Sequence, residues 1–294
     1  MGYPTPVTIT ASLPKPVLDE LTTLLKEHRL ELPVLPDVAG QVVTLCGQET
    51  CDAKQLAGLI TRDQGMAGNL MRLVNSPLYA PPTPLVSLQQ AIARLGIKRI
   101  REIALIIACE AKVFRVPGHE AWVSQQFRHA LAAASFAQEI ARSKRWNVEE
   151  AFLCGLLHDV GRPVLLQALI DIHARHGCTV DMPALDHAID RLHAYVGSQL
   201  VTAWTLPARL SETIHHHHHP EAAEATREPA TLTAFADDCA HWLLGADAPG
   251  SRPIDRETIL SHPALGALNL YAEDVDMVLA KADDIRAMIA AVVS

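Results

Sequence analysis

The string GLLHDVGR at residues 155–162 sets an imidazole and a carboxylate, His158 and Asp159, side by side where an apolar helix runs out before a glycine. The last turn of a helix leaves both side chains free to converge, and a nitrogen donor beside an oxygen donor suits one divalent ion. Alone, the pair says little, because a histidine at a helix C-terminus is also a favourable polar boundary against the dipole. Further donors lie along the chain: His129 in FRHALAAASFAQEI, His193 in LHAYVGSQL, the run His215 to His219 before Pro220, and the carboxylate of Asp237. Together they would make a set of four or five imidazoles and two carboxylates. Such a mixed set suits iron, manganese or zinc and leaves open positions for water or a phosphate oxygen. The histidine run is internal, follows the apolar-patterned ARLSETI and ends at a proline, so it reads as native sequence rather than as a tag. Two adjacent members suffice as ligands. His28, His173, His176, His187 and His241 read as surface or satisfied structural histidines.

Bringing such distant residues together is a task for helix packing. Asp52 with Gln55 and Ser87 with Gln90 have capping-box spacing, and Asn147 with Glu150 caps the helix that leads to His158. Leu56, Leu59 and Ile60 give a short amphipathic stripe, and Met66, Leu70, Met71 and Val74 another that stops at Asn75-Ser76-Pro77. Leu88, Ile92 and Leu95, then Ile100, Ile103 and Ile107, line two helices hinged near Gly96, and apolar positions keep helical spacing from Ala121 to Trp146. Every strong periodicity is helical, so the fold class is all-α, a multi-helix bundle with an N-terminal helical subdomain.

Residues 1–16 carry Pro4, Pro6, Pro14 and Pro16 and read as a flexible leader, with a first helix from near Val17 to about Leu30. The small, polar EAAEATREPA after Pro220 reads as a linker before two or three further helices. The expected organisation is a leader at 1–16, a domain at 17–222 divided into a helical part at 17–115 and a metal-site part at 116–222, and a helical extension at 223–294 packed on the latter.

Composition excludes several classes of function. With 49% apolar residues the chain buries a core and is not disordered, and with aromatics at only 4% helix-on-helix packing is favoured over a β-sandwich. No stretch approaches the roughly 20 uninterrupted apolar residues of a membrane helix, and no secretory signal is visible, so the expected location is the cytoplasm. Six cysteines without a CxxC pair argue against a disulfide framework. A net charge of −8, offset only by KRIR at 98–101, argues against direct nucleic-acid binding.

The string MRLVNSPLY, followed by SLQQAIARLGIKRIREIAL, resembles the hallmark of the HDOD family, relatives of the HD and HD-GYP metal-dependent phosphohydrolases. The likeness runs on in order through FRHALAAASFAQEIA, AFLCGLLHDVGRPVLL, HAYVGSQLVTAWTLP and HHHHHP, over roughly residues 30–222. It implies a metal site of His129, His158, Asp159, His193 (the histidine of an HxxxG motif ending at Gly197), His217, His218 and Asp237, with Asp238 a competitor for the last place. Arg162 stands where the enzymes carry a phosphate-holding lysine, which keeps the charge and changes the geometry. Gln125 stands where bimetallic relatives place a glutamate, and no GYP follows the histidine run. These departures imply a weakened or single-metal site.

The resemblance therefore implies a bacterial signal-transduction module, non-catalytic or weakly metal-binding, that serves as an output or interaction domain for signalling-protein partners. The alternative is a metal-dependent phosphohydrolase acting on a nucleotide or cyclic dinucleotide, with Arg162 contacting phosphate. A further alternative is a metal or redox sensor.

Overall fold

The protein is described by a computed structural model covering residues 13–293, apart from 47, 49, 77, 78, 80, 82, 180 and 250–253. Residues 1–12 of the expected leader, and Pro77 of the Asn-Ser-Pro turn, lie outside the described residues. Among the described residues there is no strand, and the fold is all-α.

The N-terminal helices are α1 (Lys15–Lys26), α2 (Asp37–Cys46), α3 (Ala53–Ile60), α4 (Gln64–Val74), α5 (Leu88–Leu95) and α6 (Ile97–Lys112). α1 begins earlier than expected because Pro14 is its N-cap residue and Pro16 falls in the first turn, where a missing N–H costs nothing. Asp52 and Gln55 form the reciprocal box at the start of α3, and Ser87 Oγ accepts from the Gln90 amide at the start of α5. Gly96, at φ +83°, makes the break between α5 and α6. Asn75 ends α4: its Nδ2 donates to the Met71 and Leu85 carbonyls, and its Oδ1 accepts from the Leu85 amide at 2.7 Å. One side chain thereby fixes the return of the proline-rich connection onto α4.

Next come α7 (Glu120–Lys144), α8 (Val148–Leu157), α9 (Gly161–His176), α10 (Met182–Ala203) and α11 (Ala208–His216). α7 packs on α8, α9 on α10, and α10 on α11. Ala130, Ala132, Ala133, Ala134, Ala137 and Ala141 on α7 are all fully buried, and this small-residue face lets its neighbours come close. A Cβ at Gly155 would stand 2.6 Å from Ala134 Cα, so α8 crosses α7 nearly backbone to backbone. At Gly161 a Cβ would meet the His193 carbonyl oxygen at 2.1 Å and Gly197 N at 2.7 Å, which seats the start of α9 directly on α10.

The segment after Pro220 differs from the expected linker. A 3-10 turn at Pro220–Ala222 leads to α12 (Arg227–Leu244), with Pro229 tolerated in its first turn and Ala223, Thr226 and Ala230 buried. Small side chains here are packing contacts, which composition alone read as slack. α12 lies on α7, α8 and α11. The short α13 (Arg256–Leu260) and α14 (Ala264–Ala267) pack on α12, while α15 (Ala272–Leu279) and α16 (Ala282–Val292) pack on α7. One stretch, Val148–His176, is long and apolar enough to cross a membrane by composition, yet 78% of its apolar window is buried inside the protein.

Candidate metal centre

Five helices deliver the polar cluster. α7 carries His129, the end of α8 carries His158 and Asp159, and α10 carries His193. The end of α11 carries His217 and His218, and α12 carries Asp237. All except His218 are buried. Every ligand position implied by the resemblance therefore falls in one pocket.

Three imidazoles are aimed by their own helices. The Nδ1–H of His158 donates to the Gly155 carbonyl at 2.8 Å, that of His193 to Ile189 at 3.1 Å and that of His217 to Ile214 at 2.7 Å. With a proton held at Nδ1, each ring when neutral presents an Nε2 lone pair inward, the tautomer that binds metal, and on His158, raised to about 9, a metal must first displace the second proton from Nε2. Those nitrogens face the two carboxylates and one another. His193 Nε2 lies 3.1 Å and His217 Nε2 3.8 Å from Asp159 Oδ1, and His193 Nε2 is 3.4 Å from His217 Nε2 and 2.9 Å from His218 Nε2. His158 Nε2 makes no hydrogen bond and stands 3.6 Å from both Asp159 Oδ2 and Asp237 Oδ1. His129 Nε2 is 2.7 Å from Asp237 Oδ1.

Imidazoles and carboxylates buried this closely need positive charge among them, which the proton of His158 supplies in the metal-free protein and which a divalent ion would replace. Donor atoms bound to one ion by bonds of ~2.1 Å in tetrahedral array stand roughly 3.4 Å apart; the contacts here run from 2.7 Å for His129–Asp237, a hydrogen bond, to 3.8 Å for His217–Asp159. Two groups are compact enough to close on an ion: Asp159, His193, His217 and His218, and His129, His158 and Asp237, the donor atoms in each lying within 4.8 Å of one another. The residues present fit divalent-metal binding.

Burial would push the Asp159 carboxyl up, but Arg162, His158 and His193 overcome it and hold Asp159 well below the usual carboxylate range. Asp237 is likewise held low against its burial by His129 and His158. Burial pulls the His158 imidazole down, and Asp159 and Asp237 more than reverse this and raise it to about 9. His217 is held well below the usual imidazole range by burial and by His218, His158 and His193.

A family model for the HDOD domain matches residues 32–220. The chain belongs to the HDOD family. An HDOD domain protein of unknown function from Geobacter sulfurreducens is 26% identical with a TM-score of 0.70, covering 94% of this chain and 98% of that one. A Shewanella amazonensis SB2B protein, described provisionally as a metal-dependent phosphohydrolase, is 21% identical with a TM-score of 0.69, over 93% and 97% of the two chains, a likeness of fold. A ribonuclease Y of Geotalea uraniireducens is 27% identical over 171 residues, 58% of this chain and 26% of that protein. The HDOD chain spans less than half the length of the curated relatives it matches.

Arg162 of this HDOD chain donates from Nε to Asp159 Oδ2 and from Nη1 to Asp190 Oδ1, both at 2.7 Å. Two of its three nitrogens are thus occupied in steadying a carboxylate of the cluster. Gln125 is turned away and donates to the Ala248 carbonyl at 3.1 Å. Asp238 pairs with His262 at 3.0 Å, whereas Asp237 enters the cluster. His241, read from sequence as structural, lies with Nε2 3.5 Å from Asp237 Oδ1. Its spacing of four residues from Asp237 was the available signal, since positions i and i+4 share a helix face.

Proposed function

We propose that this chain is a divalent-metal-binding HDOD signalling module, in which occupancy of the buried centre holds α7, α8, α10, α11 and α12 in one arrangement. The observation that carries this reading is the convergence on Asp159 and Asp237 of His158, His193 and His217, whose Nε2 atoms are turned inward by Nδ1–H bonds to helix carbonyls. A ligand bound only by the folded state stabilises it, so occupancy would set the packing of the helices and of whatever surface they offer to signalling-protein partners. Membership of the HDOD family supports a regulatory task, and a cytoplasmic setting belongs to the same reading. The test is elemental analysis of tag-free protein purified without added metal. The wild type is expected to retain iron, manganese or zinc at about one ion per chain or more, and His158→Ala to lose it. Retention of the same metal by His158→Ala, or its absence from both proteins, would overturn the reading.

A second reading, hydrolysis of a phosphate ester, is favoured by a cleft of about 420 Å3 that reaches the centre at His217, His218 and Asp237 and is walled by Arg227 and Thr231. A divalent ion there would supply Lewis acidity toward a phosphoryl oxygen. The chain's own residues would hold that geometry: His193 and His217 in fixed tautomers, Arg162 keeping Asp159 ionised, and Arg227 placing positive charge in the cleft wall. A nucleotide or cyclic dinucleotide is the matching substrate class. Metal-replete protein that cleaves neither bis(p-nitrophenyl) phosphate nor a cyclic dinucleotide would eliminate this second reading and leave the first intact.

A further inference from the structure

A cavity of about 190 Å3 opens where α4, α6, α7, α8 and α16 meet, and it shares no lining residue with the cleft at the metal centre. Its walls are apolar, with Ile103 and Ile106 from α6, Phe152 from α8, and Ile285 and Met288 from α16. Its polar side is Arg99 of the KRIR string and Glu102, one turn apart on α6, joined by Gln138 of α7. Glu102 and Gln138 are buried. Arg99 Nη1 donates to Glu102 Oε2, and Nη1 and Nη2 both reach Gln138 Oε1 at 3.3 Å. Gln138 Nε2 reaches Glu102 Oε1 at 3.4 Å.

This network is only partly saturated. Among the described residues Arg99 Nε has no hydrogen-bond partner and Nη2 has one long contact, so the edge of the guanidinium that takes a carboxylate in two parallel bonds is unspent. Glu102 Oε1 holds one long contact from an amide and has capacity for a second donor. Burial raises the Glu102 carboxyl above its usual range even with Arg99 opposing it, so one guanidinium does not offset the desolvation and a second cation would help to. A buried ion pair is a poor stabiliser of a fold, because desolvation consumes its Coulomb attraction. Opposite charges set side by side at the edge of an apolar cavity are, however, complementary to a zwitterion with an apolar tail. The cavity is also smaller than the ~300–1,000 Å3 that drug-sized ligands occupy, which excludes a nucleotide.

We propose that this cavity binds a free aliphatic α-amino acid, its carboxylate on Arg99, its ammonium on Glu102 and its side chain between the apolar walls of α6 and α16. The site goes beyond the metal-binding reading and does not depend on it. It does share helices with the metal centre, since Gln138 lies on α7 with His129, and Phe152 on α8, the helix that ends at His158. A bound amino acid would therefore tie α16 and α6 to the two helices that carry those ligands, and would stabilise the folded chain.

The test is isothermal titration calorimetry of full-length, tag-free protein with L-leucine, with isocaproate, which lacks the ammonium, and with isopentylamine, which lacks the carboxylate. L-leucine is expected to saturate one site per chain, and each truncated analogue to bind at least about tenfold more weakly. Glu102→Gln keeps the size of the side chain and removes its charge, so it should lose the preference for L-leucine over isocaproate. Met288→Trp fills the apolar side from a half-buried position, leaves the polar network intact and should weaken L-leucine at least about tenfold. Circular dichroism melts establish that each variant is folded, and Met288→Trp carries the test if Glu102→Gln is not. No saturable binding of L-leucine up to about 10 mM overturns the proposal. So does an analogue that binds within about threefold of L-leucine, a folded Glu102→Gln that keeps the preference, or a folded Met288→Trp that binds as wild type does. Any of these results leaves the metal-binding reading standing.

Discussion

Acidity is the sharpest probe of the centre, because a proton and a divalent ion compete for His158 Nε2. With its imidazole raised to about 9 by Asp159 and Asp237 against the pull of burial, metal-free His158 is protonated at neutral pH. At pH 7, about two units below that value, only about one molecule in a hundred has the ring ready to ligate, and displacing the proton costs about 3 kcal/mol. Apparent affinity should therefore rise about tenfold per pH unit from pH 7 to 9, a gain of about 100-fold, and then level off. The sign for stability in the metal-free protein follows from the same shift. The folded pKa lies above the unfolded value near 6.5, so the contribution is fully present below about 6.5 and is lost as pH rises through about 9. Competition against a chromophoric chelator, corrected for the chelator's own protonation, measures the affinity slope. Calorimetry at pH 7 in buffers of different ionisation enthalpy counts the proton released, with about one expected. A flat affinity from pH 7 to 9 with no proton released would refute the account of His158.

Gly161→Ala should destabilise the protein by about 3 kcal/mol or more, lowering the melting temperature by roughly 5–10 °C, because its Cβ would collide with the backbone of His193 and Gly197. Thermal melts followed by circular dichroism check this, and the same variant should bind metal less tightly since His193 is displaced. Asn75→Ala removes three hydrogen bonds that tie the loop to α4 and should cost about 2 kcal/mol in urea denaturation. Arg162→Ala should weaken metal binding by about 10- to 100-fold in a chelator titration by freeing Asp159, and Arg162→Lys should restore only part of the loss because an ammonium cannot span Asp159 and Asp190 together.

Local signals were legible in the sequence where the physics is local. The Asp52 and Ser87 caps, the Gly96 break and the His158-Asp159 pair at a helix end each depend on residues within one or two turns of one another, and all are found where spacing puts them. The convergence of His129, His193, His217 and Asp237 was legible through resemblance, because no period in a sequence encodes which helices cross. His241 escaped because the start of α12 was hidden in a stretch that composition read as loose, so its shared face with Asp237 had no helix to belong to. The closeness of Gly161 to His193 was equally silent, since a glycine that admits another backbone looks the same as one that ends a helix.

The match to the family stops at residue 220, and the chemistry does not. Asp237 lies 17 residues further on, on a helix that also covers the alanine face of α7. A chain trimmed at that limit would surrender one of the pocket's two acidic anchors and bare an oily seam to water in the same cut, so its failure to hold metal or to stay monodisperse would describe the trimming. Comparative surveys of such proteins gain a partner for the His-Asp pair by reading one helix past the boundary.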